Sequence, residues 1–387
     1  MNDKGSGWMY KAYKFRIYPN EEQRCLINKS FGCARFIYNY YLNKLIKDGY
    51  INANLCIKDY VDNLKYEYQF LTEIDSIIIR KSLFNLEDSF KRYFNKITDY
   101  PKYKSKYKRN SYNTSAIYRN YRGKEYCNIE VDLKNKSIKL PKIKWISCRG
   151  YRKLEKIDGK IINATISREP NGKYYVSILY EVPSLANYYV IPKSIVGIDL
   201  GVKKLITLSD DTTYDNNKYI LKYEKRIKRY QRELARKKKK SNNYYKCKKK
   251  LAILYSKLKN ARKYYTNYVT KEITDNYDII TCEKIDAKSM IQKKKLSKKI
   301  TDATFYEIIR QLQYKSKWKG KYFYQVDKYY PSTQTCSVCE HIDRKYKDLS
   351  QRIYKCCNCH NIIDRDLNAS INIMFEGLKL HMKYNFS

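Results

Sequence analysis

Two cysteine pairs near the carboxyl end of the chain have the spacing of metal ligands. Cys336 and Cys339 form one CxxC turn, and Cys356 and Cys359 form the other. Two such turns joined by a short loop suit a tetrahedral Cys₄ zinc ribbon, in which each turn presents two thiolates to the metal. Two disulfides are the alternative, but paired CxxC turns fit zinc better than disulfide geometry. Cys357 is the spare thiol, and we do not expect it to be a ligand.

Three carboxylates stand at positions where an acidic side chain is costly. Asp199 and Glu283 lie in apolar strand patterns, and Asp366 lies at the mouth of a helix pattern. An acid in an apolar strand is unfavourable unless it faces a metal or a partner. If the strands lie side by side, the three acids converge and can hold two Mg²⁺ ions roughly 4 Å apart for phosphodiester hydrolysis. Taken singly, each acid could equally be a strand-end or capping residue.

Histidine is scarce, and its scarcity excludes several kinds of nuclease. The three histidines all lie near the carboxyl end: His341, His360 and His381. A His-metal finger nuclease, a two-histidine nicking transposase or a His-based phosphodiesterase would each need histidines further upstream. If the protein cuts nucleic acid, carboxylates and metal must do so.

The charge of the chain points to a polyanionic partner. The 387 residues include 81 Lys and Arg against 39 Asp and Glu, a formal net charge of +42 spread along the whole length. Nucleic acid is the expected partner, because each neutralised phosphate releases counterions. An anionic membrane is the alternative, but no apolar stretch of about 18 residues is present to span a bilayer. The amino terminus lacks a signal-peptide pattern, so we expect a cytoplasmic protein.

The first half of the chain has the pattern of a β module that contains inserted helices. Residues 10–18 alternate like a strand, and apolar periodicity then predicts helices from about Glu21, over about 56–66 and over about 77–97. Strand patterns follow at 137–141, 160–167 and 174–180, with a turn at Asn171-Gly172. We therefore predict a small β barrel entered by the first strand, with a helical bundle inserted in it.

The second half alternates strands that end in acids with long helices. Residues 194–201 and 205–208 predict a strand pair, and 277–283 predict a strand that closes on Glu283. Between them, about 219–276 predicts an antiparallel helical hairpin with a lysine-rich tip, which is either a solvated face or a nucleic-acid contact. A helix over about 303–318, a strand over 321–326, the ribbon and a helix from about Asp366 complete the chain.

The order of these elements resembles the RuvC nuclease core, a variant of the RNase H fold. The chain is more closely similar to the TnpB (OrfB) family of transposon-encoded proteins, relatives of the compact type V CRISPR effectors. The resemblance runs nearly end to end and rests on these segments: Tyr13-Lys-Phe-Arg-Ile-Tyr-Pro19, Pro101-Lys-Tyr-Lys-Ser-Lys106, Ile138-Lys-Leu-Pro-Lys142, Gly197-Ile-Asp-Leu-Gly-Val202, Cys282-Glu283-Lys-Ile285, Tyr330-Pro-Ser-Thr-Gln-Thr-Cys-Ser-Val-Cys339 and Asp364-Arg-Asp-Leu-Asn-Ala-Ser370.

The resemblance implies a multi-domain α+β fold. A β-barrel wedge module would be formed by 1–19 and 99–190, with a helical recognition bundle at 20–98 inserted in it. A RuvC-like nuclease domain would follow at 191–387, with its helical hairpin at about 219–276 and its zinc ribbon at about 333–362.

The resemblance also implies an RNA-guided, metal-dependent DNA endonuclease encoded by a transposon. The catalytic residues, which would also bind magnesium, would be Asp199, Glu283 and Asp366. Mn²⁺ can substitute for Mg²⁺ at such sites. Structural zinc would be bound by Cys336, Cys339, Cys356 and Cys359. Asp364 competes with Asp366 within the third motif, but as the residue before the helix it more naturally caps that helix.

The implied partners are a guide RNA from the transposon end and double-stranded target DNA that carries a short flanking motif, with no membrane. The protein would act on the prokaryotic nucleoid, and a monomer is favoured, although the sequence does not fix the oligomeric state. A catalytically silent RNA-guided repressor or accessory protein is one alternative, and a strand-transferring transposase is another.

Two departures from the family pattern concern the ribbon. Glu340 and His360 replace the glycine that usually follows each CxxC, where glycine most easily adopts the left-handed turn. The sequence leaves open whether His360 competes as a fourth ligand.

Overall fold

The structure is a computed structural model that describes residues 8–47, 63–150, 157–184, 191–285, 304–347 and 351–386. The chain divides into two compact units, Met1–Pro183 and Ser184–Ser387. Within the described residues, no helix combines the length and the apolar character needed to cross a bilayer.

The amino-terminal unit is built on a seven-stranded antiparallel sheet in the order β2-β8-β9-β1-β7-β6-β5, which forms half a barrel. The first strand lies at its centre between β9 and β7, as the sequence predicts. A separate hairpin joins β3 to β4. The strands are β1 (Trp8–Tyr18), β2 (Asn110–Ser115), β3 (Tyr118–Tyr121), β4 (Lys124–Cys127), β5 (Glu130–Asp132), β6 (Ser137–Leu140), β7 (Lys144–Arg149), β8 (Lys160–Arg168) and β9 (Tyr174–Pro183).

Two long helices, α1 (Glu21–Lys47) and α2 (Ser76–Phe94), pack together between β1 and β2 in the chain. The side chain of Asn20 accepts a hydrogen bond from the Gln23 backbone N–H, and the Gln23 side chain accepts one from the Asn20 backbone N–H, which makes a capping box at the start of α1. Asp75 caps α2 and also accepts a hydrogen bond from Thr114 on β2. The helix predicted over about 56–66 lies largely outside the described residues, of which 63–67 are helical.

The carboxyl-terminal unit contains a five-stranded mixed sheet in the order β12-β11-β10-β13-β14. The first three strands run antiparallel, whereas β10, β13 and β14 are mutually parallel, which agrees with the predicted RNase H-like fold. The strands are β10 (Ile195–Leu200), β11 (Lys204–Leu208), β12 (Thr213–Asp215), β13 (Ile279–Glu283) and β14 (Tyr322–Val326), with β15 (Ile353–Lys355) and β16 (Ile362–Asp364) pairing in the ribbon.

Among the described residues of this unit, four helices are present, and three of them pack on the sheet. Buried residues of α4 and α5 form one core with β10, β11 and β13. The helix α3 forms a hairpin with the first part of α4, as the sequence predicts, and the two helices share a small apolar cluster around Leu254. The helices are α3 (Tyr219–Arg236), α4 (Asn242–Asn276), α5 (Phe305–Trp318) and α6 (Arg365–Phe386).

Two glycines let α6 lie directly on the sheet. A Cβ atom at Gly197 on β10 would lie 1.9 Å from the backbone oxygen of Ser370 and 2.5 Å from the backbone nitrogen of Met374. A Cβ atom at Gly377 on α6 would lie 1.9 Å from Cγ2 of Thr281 on β13. The Thr281 hydroxyl lies within hydrogen-bond distance of Val196 O on β10 and of Ile373 O on α6, so it links the sheet to the helix. Any side chain at Gly197 would force the helix off the strand.

We expect Gly197→Ala to destabilise the carboxyl-terminal unit by about 3 kcal/mol, because the added methyl group overlaps backbone atoms that cannot rotate away. Thermal unfolding measures the change. Gly32→Ala is the matched control: Gly32 lies within α1 with nothing within 4 Å of the added Cβ. That change should be neutral or stabilise by roughly 0.5–1 kcal/mol. Equal effects of the two substitutions would contradict the close approach.

Candidate functional site

Asp199 and Glu283 lie side by side at the carboxyl ends of two parallel strands. The register between β10 and β13 pairs Ile198 with Cys282, so Asp199 and Glu283 are the next residues on each strand. Side chains alternate along a strand, so Asp199 shares the face of Gly197, and Glu283 shares the face of Thr281. Both acids therefore point to the side of the sheet on which α6 packs.

Asp366 reaches the same place from α6. It lies one helical turn before Ser370, the residue whose backbone contacts Gly197. The proximity is reflected in the Asp199 carboxyl, whose pKa is raised well above its usual value, first by burial and then by the negative charges of Glu283 and Asp366. Burial also raises the pKa of Glu283. The structure thus brings the three acids predicted from the sequence into one partly desolvated cluster.

Asp364 takes a different role, at the start of the helix. Its Oδ1 accepts hydrogen bonds from the backbone N–H groups of Asp366, at 2.9 Å, and Leu367, at 3.2 Å. This is the N-cap geometry expected for the residue that precedes the first helical turn. The carboxylate of Asp364 is thereby directed at the backbone of α6. The carboxylate of Asp366 instead acts through its charge on Asp199.

Two arginines that the sequence analysis did not identify contact the carboxylate of Asp366. Arg352 Nη1 lies 3.4 Å from its Oδ2, and Arg365 Nη2 lies 3.3 Å from its Oδ1. Arg365 is buried, with 4% of its side chain exposed. It also opposes the rise in the pKa of Asp199. Arg352 comes from the segment just before β15, where no sequence pattern distinguishes it from the many other cationic residues of the chain.

The donor set of this cluster fits a hard divalent cation. The three acids supply carboxylate oxygens, which Mg²⁺ and Mn²⁺ prefer, and their mutual repulsion in a partly buried place is relieved by positive charge. Their arrangement is open: among the described residues, only the four cysteines form a group whose ligand atoms all lie within 4.8 Å of one another. An open cluster leaves room for waters or substrate oxygens in the coordination shell.

The four cysteines predicted as zinc ligands form one compact cluster. The Sγ atoms of Cys336 and Cys359 are 3.6 Å apart, and those of Cys339 and Cys356 are 3.5 Å apart. A disulfide bond is about 2 Å long. Four sulfurs tetrahedrally arranged at about 2.3 Å from zinc lie about 3.8 Å from one another. The separations therefore fit a Cys₄ zinc site and exclude two disulfides.

The surroundings of one of the thiols, that of Cys339, favour the thiolate form that binds metal. Hydrogen bonds from the backbone N–H of His341 and from the Asn358 side chain lower the pKa of Cys339 to about 6. His360 is exposed and lies outside the four-residue cluster, so it does not compete as a ligand here. Cys357 is likewise outside the cluster, with its Sγ 3.2 Å from Nε2 of His341.

Glu340 and His360 adopt the left-handed turn that the sequence analysis expected at these positions. Their φ angles are 58° and 57°. A residue other than glycine in this region costs of order 1 kcal/mol. The ribbon keeps both turns because the backbone N–H after each CxxC must point back toward the first cysteine. Glu340 N, for example, donates to Cys336 O at 3.0 Å.

Two buried asparagines on α6 hold the ribbon against the start of that helix. Asn368 Nδ2 donates to Thr335 O at 2.7 Å, and its Oδ1 accepts from Ser337 N at 2.9 Å. Asn372 Nδ2 donates to Ser332 O and Thr335 O. These contacts flank Cys336 on both sides. The zinc ribbon and the helix that carries Asp366 are therefore one hydrogen-bonded assembly. Both asparagines are visible in the sequence, but their contacts with the ribbon are not.

Three family models match parts of the chain. A helix-turn-helix domain model of the OrfB IS605 group matches residues 9–49, and a model described as probable transposase of the same group matches residues 177–294. A Cas12f1-like TNB domain model matches residues 305–373, which include the ribbon and the start of α6.

Full-length relatives and a solved structure are similar to the chain over nearly all of it. A protein from Escherichia coli (strain K12), provisionally named RNA-guided DNA endonuclease InsQ, is 31% identical over 95% of this chain and 92% of its own length. A protein from Streptomyces pristinaespiralis, provisionally named RNA-guided DNA endonuclease, is 28% identical over 95% of this chain and 89% of its own length. A chain in the cryo-EM structure of the Cas12f1-sgRNA-target DNA complex has a similar fold, with a TM-score of 0.58, 14% identity and coverage of 95% of this chain and 99% of that chain.

The clustered acids predict an unusual effect of pH on the metal-free protein. A carboxyl group with a raised pKa binds its proton more tightly in the folded state. The loss of stability caused by ionising this group is therefore absent below the pKa that it has in the unfolded protein. This loss grows as the pH rises through the pKa that the group has in the folded protein. We expect Asp199→Asn, measured without added Mg²⁺ or Mn²⁺ and with zinc retained, to raise the melting temperature by a few degrees at pH 8 and to lose this advantage near pH 4.

Asp210→Asn is the control for this effect, because the pKa of Asp210 is shifted in the opposite direction. Although burial opposes it, hydrogen bonds from the Tyr277 hydroxyl and the Thr212 backbone N–H lower the pKa of Asp210. That variant should lose stability at pH 8. A destabilised Asp199→Asn protein at pH 8 would show that the three acids do not repel one another.

The cysteine cluster predicts one bound zinc per chain. We expect Cys336→Ser to lose the metal and to expose the ribbon to protease, because structural zinc contributes roughly 10–16 kcal/mol of apparent binding energy in finger peptides. Cys357→Ser, one residue from a ligand but outside the cluster, should keep the full zinc content. Elemental analysis of the purified proteins decides, and wild-type protein without zinc would refute the Cys₄ assignment.

Proposed function

Because the chain belongs to the TnpB (OrfB) family of transposon-encoded proteins, we propose that it is an RNA-guided DNA endonuclease that cleaves with Asp199, Glu283 and Asp366. The observation that carries the catalytic assignment is the packing that sets Asp199 beside Glu283 on the face of the sheet where α6 brings Asp366. Burial and these two neighbouring negative charges raise the pKa of Asp199. Stability alone gives no reason to gather three acids beneath one helix.

The chemistry of the site rests on divalent cations, two Mg²⁺ or Mn²⁺ ions held by the three acids. When bound, such ions activate a water and stabilise the leaving oxygen of a phosphodiester. The protein's part is to fix the ligands. Asp199 and Glu283 are set by neighbouring strands of a buried sheet, and Asp366 is set by the first turn of α6. The two arginines place positive charge at the carboxylate of Asp366, and Arg352, the exposed one of the two, would also contact the phosphate of a bound strand.

Zinc has a structural role in this proposal. The Cys₄ cluster has no open position for a substrate, and it lies in the segment that Asn368 and Asn372 tie to α6. Zinc would thus stabilise the turns that set the start of α6, and with them the position of Asp366. The ribbon also carries Arg352 to the carboxylates.

Guide and target would be held mainly through phosphates. In RNA-guided recognition, base pairing reads most of the target, while the protein contacts backbone and a short flanking motif. The hairpin of α3 and α4 suits the first task. Between Lys225 and Lys263 the sequence has 18 Lys and Arg and one acid, Glu233. Few residues of the hairpin are buried in this stretch, so most of these charges face solvent.

The flanking motif would be read by the β module and its inserted helices. A polar cleft of about 560 Å³ lies between α1, α2 and β2, with both cations and amide side chains on its walls. The Asn39 side chain fixes the backbone of Lys104 by two hydrogen bonds, of 2.9 and 2.8 Å, so the lysine-rich segment that borders the cleft is rigid. Amides and guanidinium groups recognise base edges, while lysines contact phosphates.

This division of labour follows the predicted domains: a β module from 1–19 and 99–190, helices from 20–98, and a nuclease domain from 191–387. We further propose that the partners are a guide RNA from the transposon end and a DNA target, and that the protein acts in the cytoplasm on the nucleoid, with a monomer favoured over an oligomer. A catalytically silent RNA-guided repressor or accessory protein is the alternative, and the presence of all three acids favours cleavage.

We expect Asp199→Ala, Glu283→Ala and Asp366→Ala each to reduce cleavage of a guide-matched DNA by at least about a hundredfold, because each change removes a metal ligand. RNA binding should be unchanged, since the acids do not contact the guide. Gel assays of cleavage and filter binding of RNA measure the two effects.

Asp364→Ala is the matched control within the same motif. It should cost only about 1 kcal/mol of cap stability and keep substantial cleavage. Loss of cleavage in Asp364→Ala with activity kept in Asp366→Ala would reverse the assignment. Guide-dependent retention of DNA by the wild-type protein, with no cleavage in Mg²⁺ or Mn²⁺, would support the silent alternative.

A further inference from the structure

A second cleft, of about 450 Å³, opens in the carboxyl-terminal unit between α5 and the beginning of β14. One wall is a single face of α5: Arg310, Gln313, Tyr314 and Lys317 follow the i, i+3, i+4, i+7 spacing. The other wall is made by 320–323, including Phe323. This is the outward face of α5, opposite its buried residues, and it carries two cations, an amide and a phenol.

The α5 wall of the cleft is rigid. Arg310 is fixed by two hydrogen bonds to Glu307, from Nε at 2.9 Å and from Nη2 at 2.8 Å. Its guanidinium carbon lies 5.2 Å from the centre of the Tyr314 ring. The Tyr314 ring is held in turn against Trp318, with 4.5 Å between the ring centres. An aromatic ring that is already ordered loses little entropy when a ligand stacks on it.

The charge of the cleft selects an anion with a flat group attached. Lys317 is exposed at the rim, whereas Lys321 on the opposite wall is largely buried and its Nζ is already paired with Asp278 at 3.3 Å. Gln313 offers both a donor and an acceptor to a polar edge. Ordered aromatic rings beside cations are the means by which proteins hold unpaired bases and their phosphates. The volume suits one nucleotide and excludes a duplex.

The position of the cleft separates it from the cleavage chemistry. Glu283 pairs in register with Val326, the last residue of β14, whereas the cleft lies at 321–323, before or at the start of that strand. Three to five residues of strand correspond to roughly 10–17 Å. A nucleotide in the cleft is therefore held away from the three acids, which suits a strand that is kept and not a strand that is cut.

We propose that this cleft binds one unpaired nucleotide of the guide RNA. The inference rests on the proposed function for the presence of a guide, but it concerns a separate site. The base stacks on Tyr314, its edge meets Gln313, and its phosphate contacts the exposed Lys317.

The test uses the purified protein with the RNA it carries. Irradiation at 254 nm followed by mass spectrometry should identify an RNA nucleotide joined to the peptide that contains Tyr314. Lys317→Glu and Tyr314→Ala should each weaken RNA binding by about fivefold to a hundredfold, the range for loss of one stacked base. Tyr314→Phe, which keeps the ring, should retain both the adduct and the affinity.

Lys379→Glu, an equal charge reversal at an exposed position on α6, is the matched control and should leave RNA affinity close to wild type. An equal loss in Lys379→Glu and Lys317→Glu would overturn the proposal, as would adducts only with DNA or none at this peptide. If such a result came with normal guided cleavage, the cleft assignment would fail while the proposed function stood. If the wild-type protein formed the RNA adduct but did not cleave guided targets, the proposed function would fail while the cleft assignment stood.

Discussion

The direct contact between α6 and the sheet is the interaction on which the candidate active site depends. Gly197 and Gly377 remove the two side chains that would separate helix from strand. Because Gly197 contacts the backbone at Ser370, Asp199 lies two residues along the strand from this contact and Asp366 lies one helical turn from it, so the two acids come together. A helix held off by an ordinary side chain would move the third carboxylate away, and the cluster would lose both the burial and the nearby negative charge that raise the pKa of Asp199.

The energetic cost of gathering three acids is met by the structure around them. Arg352 and Arg365 place positive charge at Asp366, and the sheet beneath is closely packed with buried aliphatic residues. The zinc ribbon contributes through Asn368 and Asn372, whose buried amides would be costly to leave without partners. In the proposed function the two metal sites would have separate tasks: the zinc site would fix the beginning of a helix, and the three acids would hold the ions that carry the chemistry.

Much of the fold could be predicted because its signals are local. Helix periodicity located α1, α2 and the helical hairpin, and strand alternation located β1, β8 and β9. The strands β2 to β5 were harder, because each is short and half-exposed, as in the burial of Glu130–Asp132. Arg352 could not be predicted at all. Its role comes from a salt bridge across fourteen residues of ribbon, and no spacing rule distinguishes it among 81 cations.

The sequence by itself determined which residues could bind metal, since two CxxC turns and acids at the ends of strand and helix patterns are few in the chain. It favoured Asp364 as the cap of α6, because capping is a local interaction with the next turn of backbone, but it left the choice between Asp364 and Asp366 open. Only the tertiary structure decided that Asp199, Glu283 and Asp366 meet, that His360 stays out of the cysteine cluster, and that an aromatic and cationic cleft opens beside β14. These depend on strand register and on the distance between packed elements, which arise from contacts between residues far apart in the chain.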